Sequence, residues 1–316
     1  MEAYGYYFNK LPKIAQLKTL QLLEKEAVVS FNLDRTVAEL AAQWKLTLGK
    51  VLKGGTASLI IEATRENGQE AVLKIALPGS NIWTEALVLR VAKGNGYVNL
   101  YEVDFSKEAI LLERLGTPLS GTSKTIDEHI VTICKVLTKA WVRPNIMVPL
   151  PTAAQKALEM KEIVKQKWST LHKPFSEQTL QLAIEYAQAR MEAYDPENCV
   201  LAHGDAHGFN LMETENDTYK LIDPDGIYAD KAYDLICIMR DWSDGLLRGN
   251  TLELLLARCH WVHELTGVDK TSIWQWGFLG RLMIGITLLE LGNTHEGKQT
   301  LEVADRISHY RLFRET

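Results

Sequence analysis

The chain has 316 residues, 46% hydrophobic and 24% charged, a composition that fits a packed globular protein of one large or two smaller domains and excludes a disordered or fibrous chain. Its 35 Lys and Arg against 40 Asp and Glu give 35 − 40 = −5, which argues against nucleic acid as a partner and favours cationic ones. Cys134, Cys199, Cys237 and Cys259 form no CxxC pair, so reduced thiols are expected rather than a zinc ribbon or disulfide framework, and no run reaches the ~20 apolar residues of a membrane span.

The segment MEAYGYYFNKLPKIAQLKTL lacks a basic stretch followed by an apolar one, so the expectation is a soluble, cytoplasmic protein with no membrane partner. The first 35 or so residues give the weakest pattern. LTLGKVLKGG (46–55) and TASLIIEATRE (56–66) read as strands around a Gly-Gly turn, and Asn67-Gly68 marks a hairpin before AVLKIAL (71–77). NIWTEALVLRVA (81–92) reads as a helix, and YVNLYEVDF (97–105) and AILLERL (109–115) as two more strands. After residues 116–124, helical patterns cover 126–142, 153–171 and 177–194, then 229–242, 251–266, 271–291 and 297–312. A loop, a short strand pair and another loop lie between the two groups. The expected organisation is a β-rich unit over 1–115 and a helical unit over 116–316.

The intervening stretch, LAHGDAHGFNLMETENDTYKLIDPDG (201–226), carries the chemistry. His203 and His207 stand four apart, as two metal ligands on one helix face would, but glycines interrupt the segment and no HExxH glutamate separates them. A hydrolase would need a nucleophile, and neither GxSxG nor an activated cysteine occurs. Phosphoryl transfer fits better. That reaction needs a carboxylate to orient the attacking hydroxyl and oxygen ligands to hold a metal–nucleotide complex. Asp205 followed five residues later by Asn210, with Asp223 ending the strand YKLID, supplies both, and one amide plus one carboxylate suits magnesium.

HGDAHGFN (203–210), IDPDG (222–226) and ADKAYDL (229–235) resemble the aminoglycoside phosphotransferase family, in particular its streptomycin 6-kinase and hydroxyurea phosphotransferase branch. The resemblance implies an α+β, bilobal protein-kinase-like fold, with a small five-stranded antiparallel N-lobe and a larger mainly helical C-lobe. It implies ATP and Mg²⁺ as cofactors, with Asp205 catalytic and Asn210 and Asp223 on the metal. It also implies a glycine hairpin at Gly54, Gly55 and Thr56, a phosphate-contacting Lys74 paired with Glu85, and a hinge whose backbone at Glu113 and Leu115 meets adenine. The glycine loop departs from a full GxGxxG, which leaves its cradling of phosphate open. Asp225 is a metal ligand, an acceptor contact or a turn cap, and Asp234 braces the loop or caps its helix.

The expected reaction moves the γ-phosphate to a hydroxyl of a small molecule. For a cationic acceptor such as an aminoglycoside, Asp225, Asp241 and Trp242 are candidate contacts, with Asp230, Asp244, Glu264, Trp261, Trp274 and Trp276 also in the helical unit. Hydroxyurea, a peptide antibiotic, choline, a sugar or an amino alcohol are alternative acceptors. A non-catalytic nucleotide-binding role is the alternative of another class, and the sequence is compatible with a monomer or a homodimer.

Overall fold

The computed structural model describes residues 5–26, 32–52, 57–144, 149–214 and 217–311. Two compact units divide the chain, Met1–Gly116 and Thr117–Thr316.

In the first unit, α1 (Gly5–Lys10), α2 (Lys13–Glu26) and α3 (Leu33–Gln43) precede the sheet. Helix α3 starts where Asn32 Oδ1 accepts the Arg35 N–H at 2.9 Å, an N-cap bond that satisfies one orphan donor of the first turn. Asp34 accepts the backbone N–H groups of Tyr6 at 2.7 Å and Tyr7 at 2.8 Å, which ties α1 to α3. Strands β1 (Thr47–Val51), β2 (Ser58–Thr64), β3 (Glu70–Ala76), β4 (Leu100–Asp104) and β5 (Ala109–Glu113) form an antiparallel sheet in the order β1-β2-β3-β5-β4. Helix α4 (Trp83–Ala92) follows β3.

Side chains alternate between the faces of a strand. Leu59, Ile61, Leu73, Ile75 and Leu111 therefore pack with Phe8, Leu33, Val37 and Leu40 of the helices into one buried cluster. The opposite face carries Ile60, Lys74 and Ile110 in one register row and Glu62, Val72 and Leu112 in the next. That alternation puts Lys74 on the face away from the α1–α3 core.

The second unit begins with α5 (Ile126–Ala140), α6 (Ala153–Thr170) and α7 (Glu177–Glu192). Capping boxes, Thr125 with Glu128 and Thr152 with Gln155, start α5 and α6. Two short antiparallel ribbons follow: β6 (Val200–Ala202) pairs with β9 (Ile227–Ala229), and β7 (Leu211–Glu213) pairs with β8 (Tyr219–Leu221). Residues 203–210 leave β6 and enter β7, while residues 222–226 leave β8 and enter β9. The ribbons thus bring both signature segments side by side.

Helices α8 (Ile236–Arg240), α9 (Ser243–Leu247), α10 (Thr251–Thr266), α11 (Lys270–Glu290) and α12 (Thr294–Ile307) complete the unit. The α+β class, the five-stranded antiparallel sheet and the helical remainder agree with the sequence expectation. Among the described residues no helix is long and apolar enough to cross a membrane.

Two helices of the second unit differ from the sequence reading, and in the first unit α1–α3 precede the sheet where no helix was expected. The helix expected over 229–242 starts late, because Ile227–Ala229 is held in the β6–β9 ribbon and Asp230 caps a 3-10 turn, Lys231–Leu235, by accepting the Ala232 N–H at 3.0 Å. Only Ile236–Arg240 is α-helical. The last helix begins at Thr294 and ends at Ile307, not over 297–312.

Helix α11 is buried along most of its length, and Gly277 and Gly280 let α8 approach it closely. A Cβ at position 280 would land on the Ile236 side chain, and one at 277 on Met239. Overpacking of this kind costs about 1–3 kcal/mol. Gly280→Leu is therefore expected to lower the unfolding free energy from denaturant titration by that amount, with a lower midpoint; an unchanged midpoint would contradict the close α8–α11 packing.

Candidate active site

In the first unit Lys74 Nζ donates to Glu85 Oε2 at 2.6 Å, and the two side chains are only 11% and 9% exposed. Strand β3 presents the lysine and the first turn of α4 the glutamate, where the helix N-terminus favours negative charge. Such a charge-assisted bond in a shielded place holds the ammonium in one direction. Gly54, Gly55 and Thr56 lie outside the described residues. At the end of β5 the Glu113 N–H donates to the Asn99 carbonyl at 2.9 Å, and the Glu113 carboxylate accepts from Asn99 N at 3.1 Å and Nδ2 at 2.9 Å. The Leu115 carbonyl accepts from Arg114 Nη1 at 2.6 Å.

The second unit holds the HGD segment on one buried carboxylate. Asp234, 1% exposed, accepts the backbone N–H of His203 at 3.0 Å, that of Gly204 at 2.8 Å and the Trp141 indole N–H at 2.9 Å. Burial pushes the Asp234 pKa up against these donors. Gly204 has φ +94°, and a Cβ there would meet Asp225 Cβ at 2.9 Å, so the turn depends on glycine.

The His203 ring uses both nitrogens. Nε2 lies 2.8 Å from the Ile222 carbonyl, and Nδ1 accepts the Asp205 N–H at 3.1 Å. These partners assign the ring proton to Nε2. Neither nitrogen is left for a metal, which removes the two-histidine zinc reading.

Asp205 is clamped from two sides. Oδ2 lies 3.2 Å from His207 Nε2, and Oδ1 accepts from Arg240 Nη2 at 3.2 Å and from the Cys237 thiol at 3.6 Å. Burial alone would raise the carboxyl. The His207 hydrogen bond and the charges of His207 and Arg240 outweigh it and hold the pKa well below the usual carboxylate range. In His207 burial lowers the pKa, but the Asp205 hydrogen bond and charge reverse the sign and leave it raised.

Asn210 folds back on the same turn. Its Nδ2 donates to the Asp205 carbonyl at 3.0 Å and its own N–H to the His207 carbonyl at 2.8 Å. Its carbonyl accepts the Ile222 N–H at 2.9 Å, so Asn210 and Asp223 stand on neighbouring segments. With Nδ2 turned inward, Oδ1 is the end of the amide suited to a cation. Asp223 has an exposed side chain on a left-handed backbone, φ +55°. The Asp225 carboxyl is raised, first by burial and then by the charge of Asp205.

Of the acceptor candidates, Asp241 Oδ1 accepts from Arg240 Nε at 3.2 Å, which links it to the Asp205 clamp. Trp242 sits at φ +61°, and the Arg258 guanidinium lies 5.4 Å from its ring centre. Trp274 and Trp276 are buried in α11, and Trp276 Nε1 donates to Asp230 at 3.0 Å, so these two tryptophans and Asp230 serve the core. Sequence reasoning missed Arg240, Cys237 and Trp141. An arginine and a cysteine three apart, just after AYDL, were the only local signal for the first two.

The comparison with known proteins decides the family. A model described as aminoglycoside/hydroxyurea antibiotic resistance kinase matches residues 43–283. The chain belongs to that family. It is an ATP-dependent phosphotransferase that acts on a hydroxyl group of a small molecule. A streptomycin 6-kinase of Streptomyces glaucescens is 27% identical over 252 residues, 79% of this chain and 81% of that protein.

Solved structures share the fold. The choline kinase LicA of Streptococcus pneumoniae has a TM-score of 0.57 at 16% identity, covering 88% of this chain and 99% of its own. A spectinomycin phosphotransferase, in complex with ADP and spectinomycin, has a TM-score of 0.52 at 13% identity, covering 87% and 93%.

Replacing Asp234 by alanine strips three donors of a buried acceptor, and stranded buried groups cost about 1–3 kcal/mol each. Asp234→Ala should lower unfolding stability by at least that much and kcat with it. A variant of wild-type stability and kcat would show that the loop is held some other way.

Proposed function

We propose that the enzyme phosphorylates a hydroxyl of an aminoglycoside of the streptomycin type and thereby inactivates it. The observation that carries this reading is the Asp205 clamp, in which an ionised carboxylate is oriented by Arg240 and His207 inside the loop that also carries Asn210. The streptomycin 6-kinase relative, at 27% identity, supports the acceptor class.

In this mechanism Asp205 accepts the hydrogen bond of the acceptor hydroxyl and aligns its oxygen with the γ-phosphorus. As the new oxygen–phosphorus bond forms, the bond to the ADP oxygen breaks and the hydroxyl proton passes to the Asp205 side. The transition state is loose, so the contribution is mainly one of position. Lys74, aimed by Glu85, contacts the α- and β-phosphates.

The donors Asn210 Oδ1 and Asp223 are both oxygen, and the inward-turned Nδ2 of Asn210 presents the correct end of the amide, so the set fits magnesium. Bound there, Mg²⁺ would neutralise charge on the phosphate oxygens. Asp225, Asp241 and Trp242 are the proposed contacts of a cationic acceptor. A cytoplasmic location is part of the proposal and accords with four buried free cysteines.

Asp205→Asn is expected to lower kcat by roughly 10²–10⁴-fold while Mg-ATP affinity is retained. Asp223→Ala should weaken Mg-ATP binding itself, read by titration. ATP consumption is then measured against streptomycin, other aminoglycosides, hydroxyurea, choline and sugars. Turnover confined to choline or sugars would overturn the acceptor assignment, and near-wild-type turnover by Asp205→Asn would overturn the mechanism.

A further inference from the structure

The sheet face that carries Lys74 in the first unit continues past the lysine, with Ile110 and Leu112 buried and Ile60 and Val72 partly exposed. Register rows place Ile60 and Ile110 beside Lys74, then Glu62 and Leu112 beside Val72. Successive rows on one face lie about 6.6–6.8 Å apart, so an apolar tract on the scale of a nucleoside runs outward from the lysine. At the end of that tract stands an ion pair. Arg114 Nη2 donates to Glu62 Oε1 at 2.8 Å, and Lys50 Nζ lies 3.5 Å from the same oxygen.

The pair reaches across β3, since the sheet order puts β3 between β2 and β5. It borders an open cavity of about 320 Å³ lined by Thr47, Gly49, Glu62, Thr64, Glu70 and Arg114. Gly49 keeps that side open, because a Cβ there would come within 3.1 Å of Glu62 Cβ. Both members of the pair are 27% exposed. Pairs this accessible contribute about 0–1 kcal/mol, so stability gives little reason for bridging two strands across a third.

The same guanidinium also covers the strand edge. Arg114 Nη1 donates to the Leu115 carbonyl, and the Glu113 N–H is engaged with Asn99. A fixed backbone edge presents its donor and acceptor in one order and so selects one purine. Here the edge is partly occupied, and in front of it stands a side-chain pair with Arg114 as donor and Glu62 as acceptor.

We propose that Glu62 and Arg114 read the base of the nucleoside triphosphate, and that the enzyme therefore uses GTP as well as ATP. Adenine offers its amino group to Glu62 and a ring nitrogen to Arg114. Guanine offers its ring and amino N–H groups to Glu62 and its carbonyl to Arg114, a pairing for which arginine is well shaped. Rotatable side chains satisfy either order. This proposal rests on the reading of Lys74 as the phosphate contact.

The full chain, in wild-type form and as Lys74→Ala, Arg114→Met and Arg114→Lys, is titrated with Mg-ATP and Mg-GTP, and acceptor KM is measured with each. Wild type is expected to bind the two nucleotides within about tenfold of each other. Arg114→Met unmasks the Leu115 carbonyl and removes the partner of the guanine carbonyl, so preference should move toward ATP by about tenfold, with acceptor KM unchanged. Arg114→Lys should restore part of the GTP binding, and Lys74→Ala should weaken both nucleotides without altering their ratio. If Arg114→Met fails to fold by circular dichroism, Glu62→Ala, which unties the same guanidinium, is read in its place. Rejection of GTP by wild type, or a nucleotide ratio unmoved by Arg114→Met (or by Glu62→Ala where it is read in its place), overturns the base-reading proposal alone. Binding of neither nucleotide by wild type overturns the nucleotide reading beneath it.

Discussion

The geometry of the loop from His203 to Asn210 hangs on one buried carboxylate. Asp234 collects the N–H groups of two consecutive loop residues and the indole of Trp141, so the path of the chain at His203 and Gly204 is set from below. A charged acceptor inside protein binds such donors more strongly than it would at the surface, and leaving any of them unmet is costly. With the path fixed, the remainder follows locally. Gly204 turns, His203 locks onto Ile222, and Asp205 comes to face Arg240.

Neighbouring carboxylates are then treated in opposite ways. Asp205, between a histidine and an arginine, is held ionised, whereas Asp225, close by and facing the Asp205 charge, has its proton affinity increased. Environments that push paired acids apart assign them different roles. The first unit uses a simpler device. A single shielded lysine–glutamate bond fixes a cation on a sheet face whose other residues are largely apolar.

The legible parts of the structure were those encoded by short-range pattern. Alternation in SLIIEAT and EAVLKIA, the Asn67-Gly68 turn and the helical periodicity that starts at Ile126 and Ala153 are local, and so were visible. So was the five-residue separation of Asp205 and Asn210, since one turn joins them. The residues that escaped notice act over distance. Arg240 meets Asp205 across 35 positions, Trp141 meets Asp234 across 93, and Arg114 meets Glu62 across 52. Helix α3 also went unread, though Asn32 and Asp34 mark its start, because its apolar face has meaning only against the sheet it covers. The short α8 defeated periodicity for another reason: strand pairing and the Asp230 cap claimed the residues before it.

The backbone at Asp223 has a consequence for how this enzyme could change over time. Its φ of +55° belongs to a region that aspartate, asparagine and glycine occupy far more readily than other residues. Glutamate, which would keep the charge, and β-branched residues would strain the turn, so the substitutions that spare the fold are the two that discard the carboxylate. If Asp223 holds the metal as proposed, selection at this position acts on that role almost undisturbed by folding. A lineage released from it would drift toward an intact protein with asparagine or glycine at 223, well folded and without that ligand.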